Sequence, residues 1–229
     1  MREVALDTET TGLDPHSGHR LVEIACMEII NHVPTGETFH TYINPKRDMP
    51  EPAFAVHGLS TDFLKNHPLF EEKADEFLEF IGDSKLIIHN AQFDLKFLNA
   101  ELGWLDKPQI DPARAIDTLK IARQKFPGAK NNLDALCRRF NINNANRTLH
   151  GALIDTQLLV EVYIELIGGK QRELSLNDEK EKIQTASEQK SPSQVKIDRP
   201  HRSFSASEKE IKDHEKLIDK IKKPLWRAS

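Results

Sequence analysis

A mixed α/β sheet of five strands flanked by helices is the fold class that this 229-residue sequence predicts. Two observations carry it. Three strand-like segments at the N-terminus are joined by connections short enough for antiparallel neighbours. After them, strand-like and helix-like segments alternate, which implies parallel pairing through helical crossovers.

The elements follow in order. Glu3 to Thr8 is a short apolar run ending in acid, Leu21 to Asn31 is rich in apolar residues, and Glu37 to Ile43 alternates in part, so these read as three strands. Gly12, Pro15 and Gly18 punctuate the first connection, and Pro34 and Gly36 the second. A helix is expected over Phe70 to Ile81, where Ala74, Phe77, Leu78 and Ile81 share a face and Gly82 supplies the stop. Lys85 to His89 reads as a brief buried strand, and Ala91 to Leu102 as a helix carrying Phe93, Phe97 and Leu98 on one side. Ala115 to Asp117 is a fifth strand, followed by helices over Thr118 to Lys125, Asn132 to Phe140 and Ala152 to Ile167.

Composition separates two regions. Residues 170–229 carry 15 basic and 11 acidic side chains against 17 and 25 for residues 1–169, within a net charge of -4. An acidic body does not suit a protein that grips duplex through a broad basic face, because that binding scales with the phosphates neutralised by Lys and Arg. Nucleic-acid chemistry here needs local charge such as metal ions. The boundary is drawn at Gly168-Gly169, giving a body of residues 1–169, a flexible linker over 170–205, too polar to repay ordering, and a C-terminal segment over 206–229. No stretch approaches the ~18 to 20 apolar residues of a membrane span, and neither a signal nor a transit peptide is visible, so no membrane partner is expected and the cytoplasm is the expected compartment. Cys26 and Cys137 lack any CxxC spacing and read as small buried hydrophobes.

Chemistry concentrates in acids at the ends of elements. Asp7 and Glu9 lie two apart at the end of the first strand, so both carboxylates point to one face of the sheet. They repel, which is tolerable at a solvated edge or where a divalent cation offsets the charge, and the Val4-Ala5-Leu6 run favours a central strand. Asp94 falls in the first turn of the helix after the Leu86–Ile88 strand, where open α/β sheets bind ligands, though an acid there also simply complements the helix dipole. His150 and Asp155 open the last helix of the body. On a regular helix they would sit about 140° apart, so His150 must lie on the preceding loop if the two converge. Four carboxylates and one histidine, without thiolates, select Mg²⁺ or Mn²⁺ over zinc, and two such ions about 4 Å apart suit in-line phosphodiester hydrolysis.

These residues also carry a family resemblance. The segments Val4 to Gly12 (VALDTETTG), His89 to Asp94 (HNAQFD) and His150 to Asp155 (HGALID) resemble, in order and spacing, the three motifs of the DEDD exonucleases, and the third-motif histidine points to the His branch. Asn132 to Cys137 and Arg147 to Gly151 are similar to the epsilon proofreading subunits of bacterial DNA polymerase III. The resemblance implies a ribonuclease H-like sheet and 3'-to-5' removal of 5'-monophosphates from a single-stranded or frayed 3' end of DNA. By motif, Asp7, Glu9 and Asp155 would hold the metal that activates water, Asp7 and Asp94 the metal near the leaving oxygen, and His150 would be the general base. His57, in Ala55 to Gly58, matches a position that contacts the terminal nucleotide. Where the family can show an acidic residue, this chain has Pro52, with Glu51 beside it. Thr10, Leu13, Asn90 and Phe93 flank the first two motifs and are expected to fix the last base without reading it, although for Phe93 a core position is the favoured reading. Mispairs would then be selected because they cost least to unpair.

Beyond the body, Gln171, Leu174 and Leu176 resemble the short motifs that dock on the sliding clamp. Ser207 with Glu210 forms a capping box, and Ile211, Leu217, Ile218 and Ile221 make an apolar stripe with no core of its own. With Leu225 and Trp226, the stripe resembles the segment by which these subunits bind the polymerase catalytic (alpha) subunit. A small theta-like subunit is a further candidate partner. Two alternatives remain open on sequence alone: an RNA-trimming exonuclease of the same superfamily, against which the long tail argues, and a catalytically silent polymerase scaffold, against which the five intact positions argue.

Overall fold

The computed structural model describes residues 1–145, 147, 149–168 and 206–220. The chain divides into two units, residues 1–174 and 175–229.

The first unit is built on five strands: β1 (Arg2–Thr10), β2 (Leu21–Ile30), β3 (Val33–Tyr42), β4 (Lys85–Ile88) and β5 (Ala115–Asp117), in the order β3-β2-β1-β4-β5. β1 to β3 pair antiparallel, and β4 joins β1, then β5 joins β4, in parallel. The central place of β1 explains its composition. Val4, Ala5 and Leu6 are all fully buried, because helices cover both faces. Even positions face one layer, where Val4, Leu6, Leu86 and Ile88 pack with Phe77, Ile81, Phe97 and Leu98 of α3 (Phe70–Ile81) and α4 (Ala91–Trp104). Odd positions face the other, where Ala5, Ile29 and Ile87 pack with residues of α6 (Leu133–Phe140) and α7 (Ala152–Leu166). Cys26 and Cys137 are buried, one in each layer, as apolar filler.

The strands and long helices stand within one to four residues of expectation. The β2–β3 connection does not. Val33 already pairs with Ile30, and Pro34 and Gly36 lie within β3. The chain reverses at Asn31 and His32 instead, both left-handed with φ of 52° and 66°, the double positive φ that a two-residue hairpin with the sheet's twist requires. Pro34 is tolerated because β3 is an edge strand.

Two short helices were not legible in the sequence: α1 (Glu51–His57) and α2 (Thr61–Leu64). Pro52 sits in the first turn of α1 and Gly58 closes it with φ of 72°, a start and stop that enclose about two turns, too short to show periodicity. α5 (Thr118–Lys125) completes the unit. In the second unit the described residues form α8 (Glu208–Asp219), capped by Ser207, whose hydroxyl accepts from the Glu210 N–H while Glu210 accepts from the Ser207 N–H. Among the described residues no helix is long and apolar enough to cross a membrane.

Candidate active site

Asp7 and Glu9 project from the carboxyl end of β1, Asp94 from the first turn of α4 and Asp155 from the first turn of α7. With His150 they line one cavity of about 830 Å³. Oxygens of Glu9 and Asp155 and a ring nitrogen of His150 lie within 4.8 Å of one another. His150 does precede the helix, whose N-cap is Gly151, and its N–H donates to the Val56 carbonyl at 3.0 Å. The loop thus swings the imidazole back over Asp155.

The acids suffer from one another. Burial first, then the charges of Asp94, Glu9, Asp155 and Glu23, hold the Asp7 carboxyl well above its ordinary range. Burial and the neighbouring carboxylates Asp155, Glu23 and Asp94 push Glu9 up to about 8, with Arg147 pulling the other way. Asp94 is pushed up to about 7 by burial, against hydrogen bonds from Thr8 that favour its ionised form. Three of the four acids are therefore left with too little positive charge to offset burial and one another.

Asp155 is the exception. Burial raises it, but the hydrogen bonds from Arg147, with the His150 ring close by, outweigh that and leave it below the usual carboxylate range. Arg147 donates from Nε to Asp155 Oδ1 at 2.5 Å and from Nη2 to Oδ2 at 2.7 Å. Its Nη1 reaches Asp134 Oδ1 at 2.7 Å and its Nη2 also donates to His150 Nδ1 at 2.8 Å. Arginine only donates, so Nδ1 is the acceptor in that pair.

A second residue sequence reasoning passed over is Glu23. It lies opposite Glu9 in the β1–β2 register and is 2% exposed. Its Oε2 accepts from the Ala152 N–H at 3.1 Å and its Oε1 pairs with His40 Nε2 at 2.8 Å. Gly151 has no side chain to cap α7, so Glu23 does it from the sheet. The available signal was an acid inside the otherwise apolar Leu21–Ile24 run.

The expected substrate contacts separate. Thr10, Leu13, His57 and Phe93 line the cavity, with Leu13 81% exposed at the rim. Phe93 does double duty, since its ring also packs 5.2 Å from that of Phe97. His57 is the last residue of α1 rather than a loop residue; it is buried, its Nδ1 accepts from the Leu59 N–H, and burial lowers its pKa. Asn90 does not line the cavity: it is exposed, left-handed at φ of 73°, and its N–H points to Asp117. Pro52 lines the cavity and Glu51 does not. His19 and His89 line it unexpectedly. His19 lies so close over Gly12 that any Cβ there would meet its ring.

The donor set fits divalent cations. It offers hard carboxylate oxygens and one imidazole, with no thiolate, and the raised acids are those a cation would restore to their charged form.

In the second unit, Ile211 and Leu217 of α8 are exposed and Ile218 is buried. Gln171, Leu174, Leu176, Ile221, Leu225 and Trp226 lie outside the described residues.

Residues 4–163 match the protein family described as "Exonuclease". The chain is 50% identical to the DNA polymerase III subunit epsilon of Rickettsia conorii over 99% of both chains. It is 59% identical to that of Rickettsia felis over 78% of this chain and 79% of the relative. Among solved structures it is similar to "Exonuclease X in complex with 5' overhanging duplex DNA", at a TM-score of 0.55 and 25% identity, covering 72% of this chain and 90% of that one.

Proposed function

Since the chain belongs to the exonuclease family and, within it, to the DNA polymerase III epsilon subunits, we infer that it is a proofreading 3'-to-5' exonuclease of a replicative DNA polymerase. It hydrolyses the terminal phosphodiester of a mispaired or single-stranded 3' end and releases a 5'-monophosphate. The observation that carries the chemistry is the convergence of Asp7, Glu9, Asp94, Asp155 and His150 on one cavity.

The enzyme depends on divalent metal. We assign the ligands as Asp7, Glu9 and Asp155 for one ion and Asp7 and Asp94 for a second, with Mg²⁺ or Mn²⁺ as the ions. Bound there, they supply Lewis-acid activation of water and offset charge on the phosphodiester. His150, half-exposed on its loop, takes up the proton that the attacking water gives away. Thr10, Leu13, His57 and Phe93 form the wall against which the terminal nucleotide is held. Asn90, exposed and outside that wall, belongs to the helix start; in this reading it is not a nucleotide contact. A cavity that admits one strand favours ends already unpaired, which is how mispairs are selected.

The protein works in the cytoplasm as part of a polymerase III complex on DNA. Within that complex we assign the catalytic (alpha) subunit to the segment 206–229, the sliding clamp to Gln171, Leu174 and Leu176, and a small theta-like subunit as a further partner, all at the nucleoid-associated replisome.

The test is nucleotide release from a 3'-mismatched primer by the purified protein, with Mg²⁺ and with chelator, beside Asp7→Ala. Metal-dependent release of 5'-monophosphates by the parent and none by the variant is expected. Full activity in Asp7→Ala refutes the site, and faster turnover of RNA than of DNA of equal length refutes the substrate.

A further inference from the structure

We propose that Arg147 is a positioning residue that stands in for the divalent cation at Asp155, holding the carboxylate and His150 while no cation is bound and yielding them when one binds. The inference rests on the reading of Asp7, Glu9 and Asp155 as metal ligands.

Three features of the geometry support it. The guanidinium is forked across both oxygens of Asp155, at 2.5 and 2.7 Å, with its side chain only 6% exposed. A divalent cation on either oxygen would draw on the same carboxylate charge and bring a second positive charge against a buried one. The same Nη2 donates to His150 Nδ1, so the ring nitrogen that faces Asp155 has its lone pair engaged by the same guanidinium. The arginine must therefore let go of two groups before the site can work. Finally, it has somewhere to go. Nη1 is already on Asp134 at 2.7 Å, a carboxylate of α6 that is 35% exposed and is held in turn by Asn144 Nδ2 at 3.1 Å.

The consequence is thermodynamic competition. A group that stabilises the ion-free state more than the ion-bound state weakens ion binding by the difference, and removing it tightens binding. A merely structural arginine does the opposite, because its loss scatters Asp155 and costs affinity.

Calorimetric titration of the full chain with Mn²⁺, beside melting in chelator and in saturating Mn²⁺, separates the two. Arg147→Gln should bind Mn²⁺ about fivefold or more tightly than the parent, and should lose more melting temperature in chelator than in Mn²⁺. Arg147→Lys keeps the charge but not the fork and should fall between them, which preserves the test if the glutamine variant does not fold. Unchanged or weaker binding in the variants that fold overturns the proposal while leaving the metal site standing. If the parent itself binds no Mn²⁺, or Asp7→Ala binds it equally well, the ligand assignment fails and the proposal with it.

Discussion

Thr8 grips Asp94 twice on a single oxygen. Its backbone N–H donates to Oδ1 at 3.1 Å and its hydroxyl donates to the same atom at 2.7 Å. Thr8 lies between Asp7 and Glu9 on β1, so its neighbours face the layer of α7 while it faces α4. One residue thereby ties the second motif to the first, and both bonds favour the ionised carboxylate against burial that would neutralise it.

Thr8→Val keeps the shape and the N–H but removes the hydroxyl. A hydrogen bond to a charged group contributes about 1.5–3 kcal/mol, so the variant should lose stability on that order. Asp94 should then ionise less readily and the metal concentration for half-maximal hydrolysis should rise. Urea unfolding and a Mg²⁺ titration of activity check the two parts. An unchanged metal dependence would mean that Asp94 is aligned by its helix alone.

The raised carboxyls give the ion-free protein a pH signature. Asp7, Glu9 at about 8 and Asp94 at about 7 hold protons in the folded state that they have already lost in the unfolded state near pH 7. Their contribution is fully present below their unfolded values and is lost as pH rises through the folded ones. His57 and His89 act oppositely. Burial lowers both from 6.5, so their contribution is present above that value and is lost as pH falls through their lowered folded ones. The histidine contribution is complete and no longer changes above about pH 7, leaving a clean window between 7 and 8. In chelator the melting temperature should fall across that window, and saturating Mg²⁺ should flatten the decline. A flat profile in chelator would show that the acids are already compensated by something other than metal.

Glu23 supports α7 from outside the helix. In Glu23→Ala the buried Ala152 N–H and His40 Nε2 both lose their acceptor, and an orphaned buried donor costs about 1–3 kcal/mol. Because α7 carries Asp155 and follows His150, turnover should fall along with stability. Glu23→Gln keeps an acceptor for Ala152 and should recover most of the stability. Chemical denaturation and single-turnover hydrolysis distinguish the two variants, and equal stability in both would remove the capping role.

How far the sequence carried depended on whether a residue's role was local. Phe70–Ile81 was legible end to end because its apolar spacing lies within it and the Gly82 stop follows it directly. The placement of Asp7, Glu9, Asp94, His150 and Asp155 around one cavity followed from their positions at strand and helix ends, which topology brings together. The hairpin at Asn31-His32 was hidden because Pro34 and Gly36 are stronger turn signals than an Asn-His pair. Arg147 and Glu23 were hidden as structural actors for a different reason. Each draws its meaning from a partner far along the chain or on another element, Glu23 from Ala152 and Arg147 from Asp134, and no period or spacing encodes such a meeting.

The C-terminal segment should prove separable from catalysis. α8 is a twelve-residue helix with a reciprocal Ser207–Glu210 cap and charged residues on most of its surface. Helices of that length are marginal alone, and a good cap offsets only part of the nucleation cost. Ile211 and Leu217 remain 48% and 59% exposed, apolar area that water disfavours and a partner surface would cover. Among the described residues, those lining the catalytic cavity all come from the first unit. Removing residues 206–229 should therefore leave hydrolysis of free oligonucleotides within about twofold of the parent while abolishing co-migration with the polymerase catalytic subunit on size exclusion. Ile211→Asp with Leu217→Asp should reproduce the loss of association without shortening the chain. Association that survives both changes would move the polymerase contact onto the catalytic unit.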